Sequence, residues 1–441
     1  MKHITTEENN AVVVGFGPAG IALCCAMVDG MEEHGRNSLG QMIYLERSAS
    51  TTWHGEFLLR NTDINHHIFR DLVTPRNPRS RFSFAMYLKA RDRLYRFGLL
   101  GRPPSRAEWS DYLVWAAEQL SDHIAYNEPV DAITPVIEGD VLVGLRVVTD
   151  RRAYPTRSVV LSTGSEPKIP ALFLSHLGPR VFHTSAYLRH IRGLRGEVPR
   201  RWLVLGSGQS AGEAVADLLQ RRPDSVIDSI HRSSGFRIGQ LGQFPNLAFL
   251  PEQVDYFHGL DLESRNRLFA DVRATNYAGV DVDESSALYS QIYEDSVEGR
   301  ERLRMRPFSE VETVTRAEGS YEVVLRDVFS GQRTTLSVDA IVLGTGFEQS
   351  RIPPMLAEIL PWLQLADDGG LVISRDYRVA LANAPGVAIF ANGLSERTHG
   401  ISDAQSFSLV AMRAERILNA LIDHTRATSG ADGWQTKSNA A

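Results

Sequence analysis

The sequence predicts a mixed α/β fold with two Rossmann-like dinucleotide-binding domains and a small substrate-binding region. The first observation is an apolar strand at residues 11–14 that enters a Gly-x-Gly-x-x-Gly turn at residues 15–20 and then an apolar helix. The same order of strand, glycine turn and helix recurs at residues 202–219. Two further apolar strands, at residues 158–164 and 339–346, both end in Thr-Gly. Because a strand, a glycine turn and a helix in this order form a dinucleotide-binding unit, the repeat predicts two such domains.

The composition is that of a globular chain with more than one domain. At 441 residues the chain exceeds the length at which a single core stops growing. Its 43% hydrophobic and 23% charged residues argue against disorder. The net charge of −6 gives no basic excess, so we expect neither a nucleic-acid partner nor a membrane partner. No apolar run reaches the length of a membrane span, and the first residues lack an export signal, so a cytoplasmic location is expected.

Cysteine and histidine usage predicts neither a disulfide scaffold nor a metal site. Cys24 and Cys25 are the two cysteines, and adjacent residues cannot supply a zinc site or a spaced redox pair. Both lie within the first apolar helix, where packing is their expected role. The 13 histidines are scattered, and His66-His67 is the one adjacent pair.

The first glycine turn has the features of an FAD site. Gly15, Gly17 and Gly20 permit a tight turn and let the backbone approach a pyrophosphate at the helix N-terminus. The next strand, residues 42–45, ends in Glu46, which is placed to accept a hydrogen bond from an adenosine ribose. An acid at this position favours a free 2′-hydroxyl group, which predicts FAD or NAD and excludes NADP.

The second glycine turn has the features of an NADPH site. Gly206 and Gly208 are followed by Ala211, a small residue that replaces the third glycine. The strand after this helix, residues 226–230, lacks a terminal acid and leads to Arg232, a cation that suits a 2′-phosphate. Two turns with opposite ribose preference predict that one cofactor passes electrons to the other.

These features predict a discontinuous domain arrangement. We expect the chain to cross between domains at the two Thr-Gly segments. The predicted bounds are 1–190 and 339–425 for the FAD-binding domain, 191–338 for the NADPH-binding domain, each with segments of the substrate pocket, and 426–441 for a disordered tail.

Several longer segments are more specific than the glycine turns. They are Trp53-His54-Gly55, residues 70–84, residues 105–112, residues 181–188, Thr275-Asn276-Tyr277 and residues 398–403. Together they resemble the FAD- and NADPH-dependent N-hydroxylating monooxygenases, which are the ornithine and lysine N-hydroxylases of siderophore pathways. The resemblance covers residues 11–420.

The resemblance implies an enzyme that uses NADPH and O2 to oxidise the primary amine of a small amino acid through a C4a-hydroperoxyflavin. It also implies a homo-oligomer, a dimer or a tetramer. The residues it assigns to FAD are Gly15, Gly17, Gly20, Glu46, Trp53, His54, Arg106, Gly400, Ile401 and Asp403. The residues it assigns to NADPH are Gly206, Gly208, Gln209, Ser210, Glu213, Arg232, Thr345 and Gly346.

The substrate segment departs from the family pattern. Ornithine enzymes have Gln-x-Ser-Phe-Leu-Lys-Asp where this chain has residues 65–71, so that Asn65 replaces Gln, His67 replaces Ser, and Arg70 replaces the Lys that binds the carboxylate. The predicted substrate contacts are Asn65, Arg70, Asn246, Asn276, Arg60 and His67, with Asn65 and Asn276 positioning the substrate and no certain catalytic acid or base.

Two substrates remain open at equal weight. Arg70 can do the work of the family's lysine, which predicts hydroxylation of L-ornithine at N5. A two-pronged guanidinium also suits a short diacid such as L-aspartate, with successive oxidation toward a nitro product. Arg60, His66 and His67 add cationic capacity nearby, which favours aspartate. Lysine or a diamine is less favoured, because a diamine offers Arg70 no anion.

Other flavin chemistry is the alternative class. S-oxidation and Baeyer–Villiger enzymes share the glycine turns but lack the Asn-Pro and Thr-Asn-Tyr segments seen here. Disulfide reductases need two spaced cysteines, which the Cys24-Cys25 pair cannot supply.

One charged run, Arg300, Arg302, Arg304 and Arg306, alternates along the chain and predicts a solvated face paired with Glu298 and Glu301. Arg302 or Arg306 is the exception that could approach the pocket.

Overall fold

The structure is a computed structural model that describes residues 10–34, 42–194, 198–277, 279–403 and 406–429. The strands in these ranges are β1 (Ala11–Val14), β2 (Met42–Glu46), β3 (Ile124–Tyr126), β4 (Val130–Glu138), β5 (Val141–Thr149), β6 (Ala153–Thr156), β7 (Ser158–Leu161), β8 (Glu166–Pro167), β9 (Val181–His183), β10 (Arg201–Leu205), β11 (Val226–Ile230), β12 (Leu303–Arg306), β13 (Ser309–Ala317), β14 (Ser320–Asp327), β15 (Arg333–Val338), β16 (Ala340–Leu343), β17 (Phe347–Glu348) and β18 (Ala388–Ala391). The helices are α1 (Pro18–His34), α2 (Phe84–Ala90), α3 (Leu94–Phe97), α4 (Arg106–Glu118), α5 (Tyr187–Gly193), α6 (Gln209–Arg221), α7 (Pro251–Gly259), α8 (Leu262–Val272), α9 (Val282–Val297), α10 (Glu396–His399) and α11 (Val410–Ser429).

The first sheet is parallel, with strand order β18-β7-β1-β2-β3. Its central strand β1 is buried at every position, because parallel sheets are covered on both faces. One face packs against α1, α4 and α11, and the other packs against β4–β6 and the chain around residues 352–384. We call the chain that builds this sheet the first unit; it comprises residues 10–165 and 349–429 of the described ranges.

The second sheet is also parallel, with strand order β12-β11-β10-β16-β9. We call the chain that builds it, residues 168–346, the second unit. The antiparallel sheet β13-β14-β15 packs on one face, and α5, α6 and α9 cover the other. The predicted α/β fold with two Rossmann-like sheets is therefore confirmed.

The predicted domain bounds need correction at both ends of the second unit. Residues 181–190 and 339–343 were assigned to the FAD-binding domain, but β9 and β16 pair with each other in the second sheet. The chain crosses between the units at β8 and β17, which pair antiparallel and lie just after the two Thr-Gly segments where a crossing was expected. Sequence alone missed the sheet to which β9 and β16 belong, because a short buried strand carries no mark of the sheet that it joins.

The end of the chain differs from the prediction as well. Helix α11 continues to Ser429, so residues 426–429 are helical and do not belong to a disordered tail. The Thr428 hydroxyl donates to the carbonyl of His424, four residues earlier in the helix. The polar composition of these residues had suggested disorder. Residues 430–441 lie outside the described residues.

The alternating arginines are paired, as predicted, but not only with the exposed glutamates. Arg304 pairs with the exposed Glu301, whereas Arg300 pairs both with the exposed Glu298 and with the buried Asp295. The other two arginines pair with carboxylates that are nearly inaccessible: Arg302 with Asp295 and Arg306 with Asp228. In the structure these two side chains therefore hold strand β12 in place.

Among the described helices, none combines the length and apolar character that crossing a bilayer requires.

Candidate active site

The first glycine turn lies where three strands of the first sheet end. The Gly15 N–H donates to the Leu45 carbonyl, and the Gly15 backbone has a φ of +97°. A Cβ at Gly15 would lie 2.5 Å from the Ser162 carbonyl oxygen of the neighbouring strand end. A Cβ at Gly17 would meet no protein atom within 4 Å. The fold itself therefore requires a glycine at position 15, whereas Gly17 faces open space that a pyrophosphate can fill.

Glu46 is held beside this turn at the end of β2. Its carboxylate accepts hydrogen bonds from the Phe16 N–H and the Ser48 N–H, both at 2.9 Å. Two backbone donors fix both oxygens, so the carboxylate is oriented before any ribose arrives.

The second glycine turn is built in the same way. Gly206 has a φ of +141°, and a Cβ at this position would lie 2.1 Å from the Gly344 carbonyl oxygen, which leaves no room for a side chain. Arg232 is exposed just beyond β11, and its contact with a 2′-phosphate stays a prediction. Its neighbour His231 is buried, shares a 2.9 Å hydrogen bond with the Ser229 hydroxyl, and has a pKa lowered by burial to about 4. Arg232 is therefore the cation of this pair.

This arrangement makes a prediction about nicotinamide choice. Arg232→Ala should raise KM for NADPH far more than KM for NADH, because NADH lacks the 2′-phosphate. A charge-assisted hydrogen bond contributes about 1.5–3 kcal/mol, which corresponds to roughly tenfold or more in affinity. Steady-state oxidation of the two nucleotides measures it, with NADH as the internal control. Equal losses for both would remove Arg232 from the phosphate site.

Two residues assigned to different cofactors contact each other. Arg106, assigned to FAD, and Glu213, assigned to NADPH, form a two-pronged ion pair with both N···O distances at 2.6 Å. The exposed fractions of the side chains are 12% and 3%. Glu213 also accepts from the Gln209 amide, whose oxygen accepts from the Asp281 N–H. The pair therefore joins the first turns of α4 and α6 across the two units.

A chain of polar contacts connects the segment at residues 400–403 with the start of α1. Asp403 is fully buried, pairs with Arg413 at 3.2 Å and accepts from the Ser395 hydroxyl. Arg413 also donates to Asn392, which follows β18 and donates to the carbonyl of Ala19 in α1. Asp403 thus holds the segment in place, and the contact of Gly400, Ile401 and Asp403 with a flavin stays a prediction.

Trp53, Trp109 and Phe407 form an aromatic wall, in which Trp109 is completely buried and the other two rings are half-buried. Phe407 packs edge-on against Trp53 at 5.4 Å and Trp109 at 5.3 Å. His66 lies between Trp109 and Phe407, at 5.1 and 5.5 Å. Burial lowers the pKa of His66 to about 4, so its ring is neutral at pH 7. Without a bound anion, His66 therefore adds no positive charge to the substrate pocket, contrary to the expectation.

Arg70 is the half-buried cation of the substrate segment. It donates to the Ser408 hydroxyl at 3.1 Å, and its guanidinium lies 5.7 Å from the centre of the Phe249 ring. Within the described ranges, no carboxylate pairs with it. Burial lowers the pKa of Arg70 from its usual value. A partly desolvated guanidinium without a counterion is suited to a carboxylate ligand.

The buried neighbour Asp71 fixes the Arg70 loop. Its carboxylate accepts from the backbone N–H groups of Val73, Thr74 and Phe84 and from the Thr74 hydroxyl. Asp71 is thus structural, and it aims the preceding residues outward.

Other predicted substrate residues come from three separate loops. Asn246 belongs to the turn that ends at Phe249, so the fold brings it to the Arg70 region. Asn276 precedes Tyr277, whose hydroxyl donates to Glu396 beside the 400–403 segment. The remaining three, Asn65, His67 and Arg60, are exposed, and their roles stay predictions.

Sequence reasoning missed Ser408, Phe249 and Glu396 as site residues. They are far from Arg70 and Asn276 in sequence, and only residues next to them, which belong to recognised motifs, pointed to this region.

His183 lies in the segment 181–188 that was used for the resemblance, but no role was predicted for it. Its Nδ1 accepts from the Ser185 N–H and its Nε2 donates to the Gly346 carbonyl at 2.9 Å, which secures the predicted Thr345-Gly346 turn.

The two cysteines take no part in the site. Cys24 and Cys25 are completely buried, and desolvation raises the pKa of both thiols well above the usual value. Clusters of three or more potential metal ligands do not occur within the described parts of the chain.

Comparison with known proteins agrees with the motifs. Residues 7–349 match the family described as L-lysine 6-monooxygenase/L-ornithine 5-monooxygenase. An L-ornithine N(5)-monooxygenase of Pseudomonas aeruginosa is 33% identical over 431 residues, covering 96% of this chain and 95% of the relative. A crystal structure described as L-lysine 6-monooxygenase from Pseudomonas syringae is 52% identical, with a TM-score of 0.87, and covers 95% of this chain and 100% of that chain.

A third relative was solved with its ligands. The Kutzneria sp. 744 ornithine N-hydroxylase, described with reduced FAD, NADP+ and L-ornithine, is 32% identical with a TM-score of 0.88 and covers 94% of this chain and 99% of that chain. The family match and the identity to these relatives confirm the predicted resemblance. The chain therefore belongs to the L-lysine 6-monooxygenase/L-ornithine 5-monooxygenase family and is an N-monooxygenase enzyme.

Proposed function

We propose that this N-monooxygenase hydroxylates the side-chain amine of L-ornithine at N5. The observation that carries the substrate proposal is Arg70, a half-buried guanidinium beside Ser408 with no carboxylate partner among the described residues. An α-carboxylate would complete its charge and its hydrogen bonds, and the distal amine of the same molecule would then extend away from it.

FAD and NADPH are the cofactors of this chain. The first turn fits FAD, because Gly17 opens onto free space and Glu46 is already oriented by two backbone N–H groups. The second turn fits NADPH, because Gly206 is tightly packed and Arg232 is exposed beyond β11. When bound, the two cofactors and O2 supply the reducing power and the oxygen atom for N-hydroxylation.

The contributions of the protein are binding, orientation and exclusion of water. Arg70 would hold the substrate carboxylate, and the amides of Asn246 and Asn276 would hold its remaining polar groups. The amine must be neutral to act as a nucleophile, although a free alkyl amine titrates near pKa ~10.4. The half-buried rings of Trp53 and Phe407 in the aromatic wall would favour the neutral amine, because an apolar surface desolvates the ammonium form.

L-lysine is the second candidate substrate. It is favoured by the 52% identity to the structure described as L-lysine 6-monooxygenase. Lysine carries the same α-carboxylate and differs from ornithine by one methylene, which a pocket discriminates by only about 1–3 kcal/mol.

The aspartate alternative is not part of this proposal. Two carboxylates need two cations, and the neutral ring of His66 cannot supply the second charge. Arg60 and His67 are exposed and offer no desolvated partner comparable to Arg70. The relatives compared above are described as ornithine or lysine enzymes.

The test is NADPH-dependent formation of hydroxylamine across a panel of ornithine, lysine, aspartate and putrescine. We expect ornithine to give the highest kcat/KM with hydroxylamine formed in proportion to NADPH consumed. Faster product formation from putrescine than from any amino acid would contradict the carboxylate role of Arg70. The cytoplasmic location and the homo-oligomeric state remain predictions.

A further inference from the structure

Several contacts connect the two units besides the strands through which the chain crosses. Those strands are β8 and β17, which pair through Phe347 with Pro167 and Glu348 with Glu166. Side chains of the second unit also contact the first: Asp255 pairs with Arg375, the Tyr277 hydroxyl donates to Glu396, and His258 shares a hydrogen bond with the Ile373 carbonyl.

A second ion pair between the units, Arg106 with Glu213, is more buried than the pair of Arg375 with Asp255. Arg106 begins α4 in the first unit, and Glu213 lies in the first turns of α6 in the second unit. The guanidinium also lies 5.8 Å from the centre of the Phe57 ring, and Phe57 packs against Tyr187 of the second unit at 5.6 Å. The pair is nearly inaccessible to water and two-pronged, so it fixes orientation as well as distance.

Several carboxylates share the charge of Arg106. Glu284, at the start of α9, is surrounded by Glu213, Asp281, Asp283 and Arg106. Burial, followed by the charges of Glu213 and Asp281, raises the pKa of Glu284 to about 9, and burial with neighbouring acids raises the pKa of Asp281 to about 6. One buried oxygen of Glu284 has no hydrogen-bond partner. A protonated Glu284 is neutral, so it does not compete with Glu213 for the positive charge of Arg106.

We propose that Arg106 and Glu213 are positioning residues that lock the second unit against the first, so that the nicotinamide is held at the flavin for hydride transfer. This inference rests on the cofactor sites of the proposed function and not on the amine substrate. Neither residue needs to touch the flavin or the nicotinamide, since their side chains are already engaged with each other.

The test is flavin reduction without oxygen or amine. Arg106→Gln and Glu213→Gln should each lower the limiting rate of flavin reduction at saturating NADPH, by on the order of 10- to 100-fold, because small misplacements have large effects on rate. Reduction by dithionite and flavin content should stay unchanged. The double variant should be no slower than the worse single variant, since both remove one contact. If Arg106→Gln does not fold, Arg106→Lys, which keeps the charge and loses the two-pronged geometry, should give a smaller loss.

Glu284→Gln provides a readout that does not require bound nucleotide. Native Glu284 keeps its proton up to about pH 9, whereas the unfolded chain releases it near 4.5, so the stability of the native protein falls as pH rises between these values. Glu284→Gln should flatten this slope in urea unfolding and should keep the flavin-reduction rate from falling above pH 9.

Two outcomes would overturn the inference: unchanged limiting rates in both single variants, or a loss confined to NADPH affinity. If NADPH fails to reduce the flavin of the unmodified protein, the cofactor sites of the proposed function are wrong instead.

Discussion

Replacing Gly17 with alanine is expected to give a folded protein that binds FAD poorly. The new Cβ would meet no protein atom within 4 Å, so the structure and stability of the apoprotein should not change. The same Cβ would enter the space of the pyrophosphate. Overpacking by a methyl group costs about 1–3 kcal/mol, which corresponds to roughly ten- to hundredfold weaker flavin binding. Flavin titration of the apoprotein measures the binding affinity, and the thermal midpoint of the apoprotein shows whether its stability is unchanged.

Two other glycines act as controls for this result. Gly30→Ala adds the same methyl group to α1, the helix that follows this turn, at a position where it also meets no protein atom within 4 Å, and flavin binding should not change. Gly15→Ala should destabilise the fold itself, because its Cβ would lie 2.5 Å from the Ser162 carbonyl oxygen. Full flavin affinity in Gly17→Ala would mean that the pyrophosphate does not approach this turn.

Replacing Arg70 with methionine should separate cofactor chemistry from substrate binding. The charge-assisted contact to the substrate carboxylate contributes about 1.5–3 kcal/mol, so kcat/KM for ornithine should fall roughly ten- to hundredfold. Flavin reduction by NADPH should stay near its normal rate, because Arg70 contacts Ser408 and Phe249 and no part of either glycine turn. Hydroxylamine formation and anaerobic flavin bleaching are the two measurements.

Arg60→Met is the matched control for Arg70. Arg60 is an exposed arginine of the same segment, and an ornithine enzyme with one substrate carboxylate should tolerate its loss. Arg70→Lys should retain part of the activity, because it keeps the charge and shortens the reach. Equal damage from Arg60→Met and Arg70→Met would indicate a second anionic group on the substrate.

The parts of this site that sequence predicted are local. Gly15, Glu46 and Gly206 belong to strand–turn–helix units, in which spacing along the chain fixes the geometry. Their predicted positions at the strand ends agree with the structure. The family resemblance succeeded for the same reason, since each quoted motif is a short continuous segment.

The parts that sequence could not predict depend on contacts between distant segments. Arg106 and Glu213 were assigned to different cofactors, and only the packing of α4 against α6 brings them together. Strand β16 was placed in the wrong unit, because its apolar residues suit either sheet. His66 was counted as a cation, because the aromatic wall that lowers its pKa is assembled partly from Phe407, far along the chain.

The most direct test of the central claim is the yield of hydroxylamine per NADPH oxidised, measured with ornithine, lysine and aspartate under the same conditions. We predict tightly coupled N-hydroxylation of ornithine, weaker turnover of lysine, and NADPH oxidation that aspartate does not stimulate. Hydroxylated or nitro product from aspartate at a higher kcat/KM than from ornithine would contradict the account.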